Sequence, residues 1–285
     1  MVIPGITTIT FIVMKRFIVI FSALCLLLSC SNPKPAEPGT TVIPTVLAIN
    51  YSVVGYLPHD TNSFTEGLLV HNGQLFESTG HPPDNGLPQT RSLFGTVDIK
   101  TGEIDVKAEI DKIKYFGEGI SFFNNKVYQL TLTTRVGFIY DASTFKKLGE
   151  FAFPNKEGWG LTTDGTNLIM SDGTGNLSYL DPVTLKTIRT LAVTNNGIAA
   201  DSLNELEYIK GYVYANVWLT NSIVKIDTVT GKIVGMLDLG SLVFEARNKY
   251  PGSLELNGIA YDSIADKIYV TGKLWPNIYE IKFQH

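Results

Sequence analysis

Val97-Asp98-Ile99-Lys100-Thr101-Gly102 is the stretch that decides the fold. An apolar run ends in an aspartate, and a threonine follows three positions later. The arrangement returns as Tyr140-Asp141-Ala142-Ser143-Thr144, Leu180-Asp181-Pro182-Val183-Thr184 and Ile226-Asp227-Thr228-Val229-Thr230-Gly231. The aspartates are 43, 40 and 46 residues apart. Asp and Thr side chains bond to nearby backbone N–H groups, so each copy reads as a hairpin turn. One such turn holds too few carboxylates for a calcium loop.

Ahead of these turns runs a second unit. It reads Glu66-Gly67-Leu68-Leu69-Val70, Glu118-Gly119-Ile120-Ser121-Phe122, Trp159-Gly160-Leu161-Thr162-Thr163, Asn204-Glu205-Leu206-Glu207-Tyr208 and Asn257-Gly258-Ile259-Ala260-Tyr261. Each copy continues into a turn and a second apolar segment. Five repeats of about 47 residues, each with four strand-sized pieces, predict an all-β, five-bladed β-propeller with four-stranded antiparallel blades. No segment keeps a long 3.6-residue apolar period, so helices should be few. The last repeat holds three strands only. Tyr51-Ser52-Val53-Val54-Gly55-Tyr56 supplies the fourth from the other end of the chain and closes the ring, which removes exposed edges.

Outside the repeats the reading is compositional. The chain has 285 residues, 44 % of them hydrophobic and 18 % charged, which fits a folded domain and excludes wholesale disorder. A net charge of −4 without a basic run argues against a nucleic-acid partner. Met14-Lys15-Arg16, the apolar run from Phe17 to Leu28, and Ser29-Cys30 form a secretory signal. Leu27-Leu28-Ser29-Cys30 resembles a bacterial lipobox, which implies cleavage before Cys30 and lipid on its sulfur. Residues 1–29 are thus expected to be a lipoprotein signal peptide, and 30–45, with four prolines, a tether. Residues 46–285 are the propeller. The expected product is an exported bacterial lipoprotein on the periplasmic or cell-surface side of a membrane, touching that membrane through its lipid only. Cys25 and Cys30 are the only cysteines, so the mature domain has no disulfide or thiolate metal site.

The first strand of a propeller blade lines the central channel. By the repeat, Glu66, Glu118, Trp159, Asn204 and Asn257 share one level near one mouth. A purely packing position would be small or apolar; two carboxylates, two carboxamides and an indole point to a polar pocket. Trp218 and Lys273, at the ends of second strands, join them. His59, His71, His81 and His285 lack metal-ligand spacing, so no metal or cofactor is expected, with a structural calcium left open. No G-x-S-x-G elbow, P-loop or dinucleotide fingerprint occurs.

From His59 to Phe283 the chain resembles the plant and bacterial glutaminyl-peptide cyclotransferases, a five-bladed propeller family. The resemblance rests on linked motifs in order: Phe64-Thr65-Glu66-Gly67-Leu68, Phe116-Gly117-Glu118-Gly119, Gln129-Leu130-Thr131, Glu157-Gly158-Trp159-Gly160-Leu161-Thr162, Leu203-Asn204-Glu205-Leu206-Glu207, Ala215-Asn216-Val217-Trp218, Leu256-Asn257-Gly258 and Thr271-Gly272-Lys273-Leu274-Trp275-Pro276. It implies an acyltransferase that closes the N-terminal glutamine of peptides or proteins to pyroglutamate and releases ammonia; separately, a monomer is expected. Glu118 is then expected to shuttle protons, with Lys273 and Asn204 stabilising the oxyanion. Glu66, Trp159, Trp218 and Asn257 would bind substrate. Two positions depart from many members: Glu66 stands for Gln, and Leu132 for Trp. The residues alone also allow a non-catalytic cell-surface module for peptides or glycans, or a glycosidase built on Glu66 and Glu118.

Overall fold

The computed structural model describes residues 46–82 and 90–285. The signal-peptide and tether readings, and Cys30, lie outside the described residues. Five antiparallel sheets follow in sequence order. Their innermost strands are Thr65–His71, Gly117–Phe123, Leu161–Thr163, Leu203–Ile209 and Leu256–Asp262. The four Asp-x-x-Thr segments join third strand to fourth in blades 1 to 4. In each, the aspartate Oδ1 accepts backbone N–H groups two and three residues ahead, as Asp227 does from Val229 (3.0 Å) and Thr230 (2.7 Å).

Tyr51–Pro58 pairs antiparallel with Asn277–Phe283 as the outer strand of blade 5, which closes the ring as the sequence predicts. Three elements have no counterpart in the sequence reading. Leu47–Ala48 adds a fifth, parallel strand to blade 4. A small hairpin, Thr194–Asn195 with Ile198–Ala199, joins blades 3 and 4. The helix Gly240–Lys249 links blades 4 and 5 and buries Leu242, Val243 and Ala246.

The buried apolar side chains form five clusters, one per seam between blades. Phe76 and Phe94 of blade 1 meet Phe122, Phe138 and Tyr140 of blade 2, for example. Burying one such side chain is worth about 1.5–3 kcal/mol. The apolar alternation of the strands is therefore satisfied between neighbouring sheets, and the channel end is left for polar residues.

Candidate active site

The inner strands carry the site through a repeated irregularity. Register shifts at Thr65/Gly67, Gly117/Ile120, Leu203/Leu206 and Leu256/Ile259, at the same point in four blades. A bulge re-aims a side chain out of strand alternation. Glu66, Glu118, Asn204 and Asn257 sit at these four bulges. In blade 3 the strand starts only at Leu161, and Trp159 precedes it. Its ring packs on Gly173, where a Cβ would come within 2.6 Å of the indole and φ is +76°. Gly119 follows Glu118 because the next blade is in contact there: a Cβ would meet the Trp159 carbonyl at 2.7 Å.

Glu66, Glu118, Trp159, Asn204, Trp218 and Lys273 line one cavity of about 200 Å³. At roughly 30 Å³ per water molecule, that is the space of a few waters or one small polar residue. Lys273 Nζ is 2.8 Å from Glu66 Oε1 and 4.5 Å above the Phe64 ring. Trp159 and Trp218 meet edge to face, centroids 5.5 Å apart, and Trp159 Nε1 donates to Glu157 Oε2 at 2.9 Å. Asn257 is not in the cavity wall. It stands behind Glu66, its Nδ2 donating to Glu66 Oε2 (3.0 Å) and to the Thr65 carbonyl (2.9 Å). Sequence repeats give Asn257 its level; only the structure gives its direction.

The two carboxylates are held differently. Both oxygens of Glu66 have partners, whereas Glu118 Oε2 is buried with none. Asn204 Oδ1 is likewise buried and unpartnered. Burial raises the Glu66 carboxyl, Lys273 pulls it back, and it settles at about 7. Burial, and then the Glu66 charge, push Glu118 well above the ordinary carboxylate range. With Lys273 and Asn257 both bonded to Glu66, Glu66 is the member of the pair that ionises first and Glu118 the one that holds its proton longer.

Phe64, Phe116 and Glu255 also line the cavity and were not singled out from the sequence. A signal existed for the first two: each is an aromatic two residues before a site carboxylate. Further from the cavity, His59 and Glu77 form a fully buried pair, Nε2 to Oε1 at 3.0 Å, with His59 Nδ1 2.7 Å from the Trp275 carbonyl. With both ring nitrogens donating, His59 is an imidazolium. Thr65 Oγ1 also donates to Glu77 at 2.7 Å. The pair joins Glu77 of blade 1 to the segment that follows the outer strand of blade 5 and, through the Trp275 carbonyl, to blade 5 itself.

Blade 4 breaks the pattern that puts glycine after the site residue, because Asn204 is followed by Glu205. That carboxylate crosses the channel and accepts the backbone N–H groups of Leu68 in blade 1 (3.2 Å) and Ile259 in blade 5 (2.8 Å). Glu207 does the same with Tyr261 N at 3.0 Å. The two glutamates tie the inner strands of blades 4, 5 and 1 together through their carboxylates.

Fold and cavity together define a five-bladed propeller with an open-mouthed, carboxylate-bearing pocket. The chain belongs to the glutamine cyclotransferase family, whose pattern matches residues 21–283. It is 40 % identical over 234 residues to the glutaminyl-peptide cyclotransferase of Arabidopsis thaliana, a match covering 81 % of this chain and 71 % of that one. Its fold matches the crystal structure of Myxococcus xanthus glutaminyl cyclase with a TM-score of 0.74 and 28 % identity, over 84 % of this chain and 98 % of that one.

Proposed function

We propose that the protein is a glutaminyl-peptide cyclotransferase, an acyltransferase that converts the N-terminal glutamine of peptides or proteins to pyroglutamate and releases ammonia. Family membership supports the reaction. Among the site's features, the unpartnered oxygen of buried Glu118, beside a Glu66 already occupied by Lys273, carries the assignment of roles.

The α-amine attacks the γ-amide carbon of its own residue, so the reacting groups are already tethered. A small cavity walled by Trp159, Trp218 and Phe116 favours the folded rotamer that brings them together. Attack puts an extra proton on the α-nitrogen, and the departing nitrogen needs one to leave as ammonia. Glu118 gives its proton to the leaving nitrogen and accepts the one shed by the α-nitrogen, ending as it began. A carboxyl raised toward neutrality performs both transfers. Lys273 and Asn204 are the donors for the oxyanion of the tetrahedral intermediate. Glu66 neutralises Lys273 and its negative charge favours an arriving α-ammonium, whose free pKa is about 8; that ammonium sheds its extra proton to bulk water before the neutral amine attacks. The indoles keep out water, which would otherwise yield glutamate.

The function is tested by incubating a Gln-initiated peptide with the protein and reading loss of one ammonia by mass spectrometry. A glutamate product, or an unaltered peptide bound by the protein, would replace the reading with a hydrolase or a binding module. Export as a lipid-anchored protein belongs to the same proposal and rests on the sequence of residues 1–45. Labelled fatty acid should appear on Cys30 and not on a Cys30→Ala variant.

A further inference from the structure

The cavity holds one residue, so the rest of a substrate peptide must leave over its rim. Among the described residues, one other cavity shares lining residues with it. A groove of about 510 Å³ has Phe116 and Leu132 in common with the site and continues along Tyr115, Lys114, Ile113 and Lys112. Leu132 is the sill between the two. Its backbone is fixed on both sides, with its N–H donating to the Phe116 carbonyl (3.1 Å) and its carbonyl accepting from Gly158 N (2.9 Å).

The groove wall is a tight turn. Lys114 N and Tyr115 N both donate to the Asp111 carbonyl, and Asp111 Oδ1 accepts the N–H of Ile113 at 2.9 Å. The acid at the head of the turn is thus spent on its own backbone. The turn holds Lys112, Ile113 and Lys114 outward, with Ile113 95 % exposed. Among the described residues neither lysine has a carboxylate within 4.0 Å, and the two acids on neighbouring strands that act on them at longer range are themselves paired, Glu109 with Arg91 and Glu150 with Lys147. Two exposed cations without a direct ion pair, Lys114 lying 4.8 Å over the Tyr115 ring, and an exposed aliphatic side chain therefore flank this shared exit.

From this continuity and charge we infer that the groove is the subsite for the residues that follow the N-terminal glutamine, and that it selects peptides carrying an acidic side chain within the first three of them. An extended peptide advances about 3.3 Å per residue, so those residues pass Leu132 and run beside the turn. The inference rests on the cyclotransferase reading and extends it to the kind of peptide that is taken.

The test compares Gln-Glu-Asp-Ala, Gln-Ala-Ala-Ala and Gln-Lys-Lys-Ala at low salt, each normalised to glutamine amide, which does not reach the groove. Exposed ion pairs are worth about 0.2–1 kcal/mol each, so the acidic peptide should exceed the basic one by about threefold to tenfold in kcat/KM. The preference should shrink at high salt. It should vanish in Lys112→Gln/Lys114→Gln and reverse in Lys112→Glu/Lys114→Glu, with circular dichroism confirming the fold. Equal kcat/KM for the three peptides would overturn the inference. So would a preference that survives the charge reversal, or lysine variants that lose only binding to anionic phospholipid vesicles. If glutamine amide and every peptide are left uncyclised, the activity itself is wrong. The groove is then judged by tryptophan-fluorescence titration with the same peptides, where equal affinities for acidic and basic peptides reject it.

Discussion

Glu66 and Glu118 occupy equivalent bulges on adjacent blades, yet Lys273 and Asn257 take both oxygens of the first and nothing takes Oε2 of the second. Equivalent positions in the repeat thus become chemically unlike. The division follows from which neighbouring blade brings a donor: blade 5 supplies Lys273 and Asn257 to Glu66.

Glu118→Gln keeps shape and volume but removes the basic oxygen. The expected loss in kcat is about 10²–10⁴-fold, as for a missing general base. Because Oε2 has no partner to lose, the melting temperature should hardly move. Steady-state kinetics with a Gln-peptide, beside a thermal melt, checks both; activity within threefold of wild type would remove Glu118 from proton transfer.

Glu66→Gln removes a negative charge that helps hold Glu118 up, and leaves Lys273 to act on Glu118 instead. Both changes lower the Glu118 pKa, so the alkaline limb of kcat/KM, where the protonated Glu118 is lost, should move to lower pH, and the acid limb should lose the Glu66 titration. KM should rise more than kcat falls, since the charge offered to the α-ammonium is gone. A collapsed kcat at unchanged KM would place Glu66 in the proton transfer.

The His59–Glu77 pair makes a pH-dependent contribution to stability. Burial alone lowers the His59 pKa, but Glu77 and the Trp275 carbonyl outweigh it, and the net shift is upward. A raised folded pKa contributes fully below the unfolded value of about 6.5, and the contribution fades as pH rises through the folded value. Breaking a buried pair costs about 3–5 kcal/mol. His59→Gln should therefore depress the melting temperature strongly at pH 5.5 and much less at pH 9. An equal depression at both would show that the imidazole is not charged in the folded protein.

Removing residues 46–58 takes away the outer strand of blade 5 and bares the edge of Asn277–Phe283. Unpaired edges template association, so the truncated chain should aggregate, visible by light scattering. A soluble, cooperatively melting truncation would mean that the ring does not need this closure.

Among the described residues no three of His, Cys, Asp and Glu cluster as a metal site would require. Activity is expected to persist after chelation and dialysis. A reversible loss restored by zinc would overturn the Glu118 mechanism.

The blades were legible because the first four are punctuated by the same turn and all five open with a polar or indole side chain at the same point, followed in four of them by glycine. Asp98 and Asp227 announce turns whose geometry depends only on three following residues, so local sequence suffices. The helix at Gly240–Lys249 was not legible, since a ten-residue segment held by three buried side chains leaves little periodic trace. Within the site, Glu118 and Trp159 could be placed by level, but Asn257 could not be placed behind Glu66. Its direction depends on a bulge that sequence spacing does not record. The His59–Glu77 pair was hidden for another reason: its meaning appears only when Trp275, over 200 residues later, closes the ring above it.

The Glu205 carboxylate reaches from its own blade to the next, and past it to the first. Its two backbone partners are one and two places further round the circle, and the second, at Leu68, depends on there being no further blade between blade 5 and blade 1. Propellers are assembled from interchangeable units, and duplication or loss of one is an easy genetic step. Here a sixth unit inserted between blades 5 and 1 would carry the Leu68 N–H out of reach and leave a buried acceptor and a buried donor unmet, at about 1–3 kcal/mol each. One glutamate in place of a glycine thus acts as a counting device, fixing how many copies this architecture accepts during its evolution.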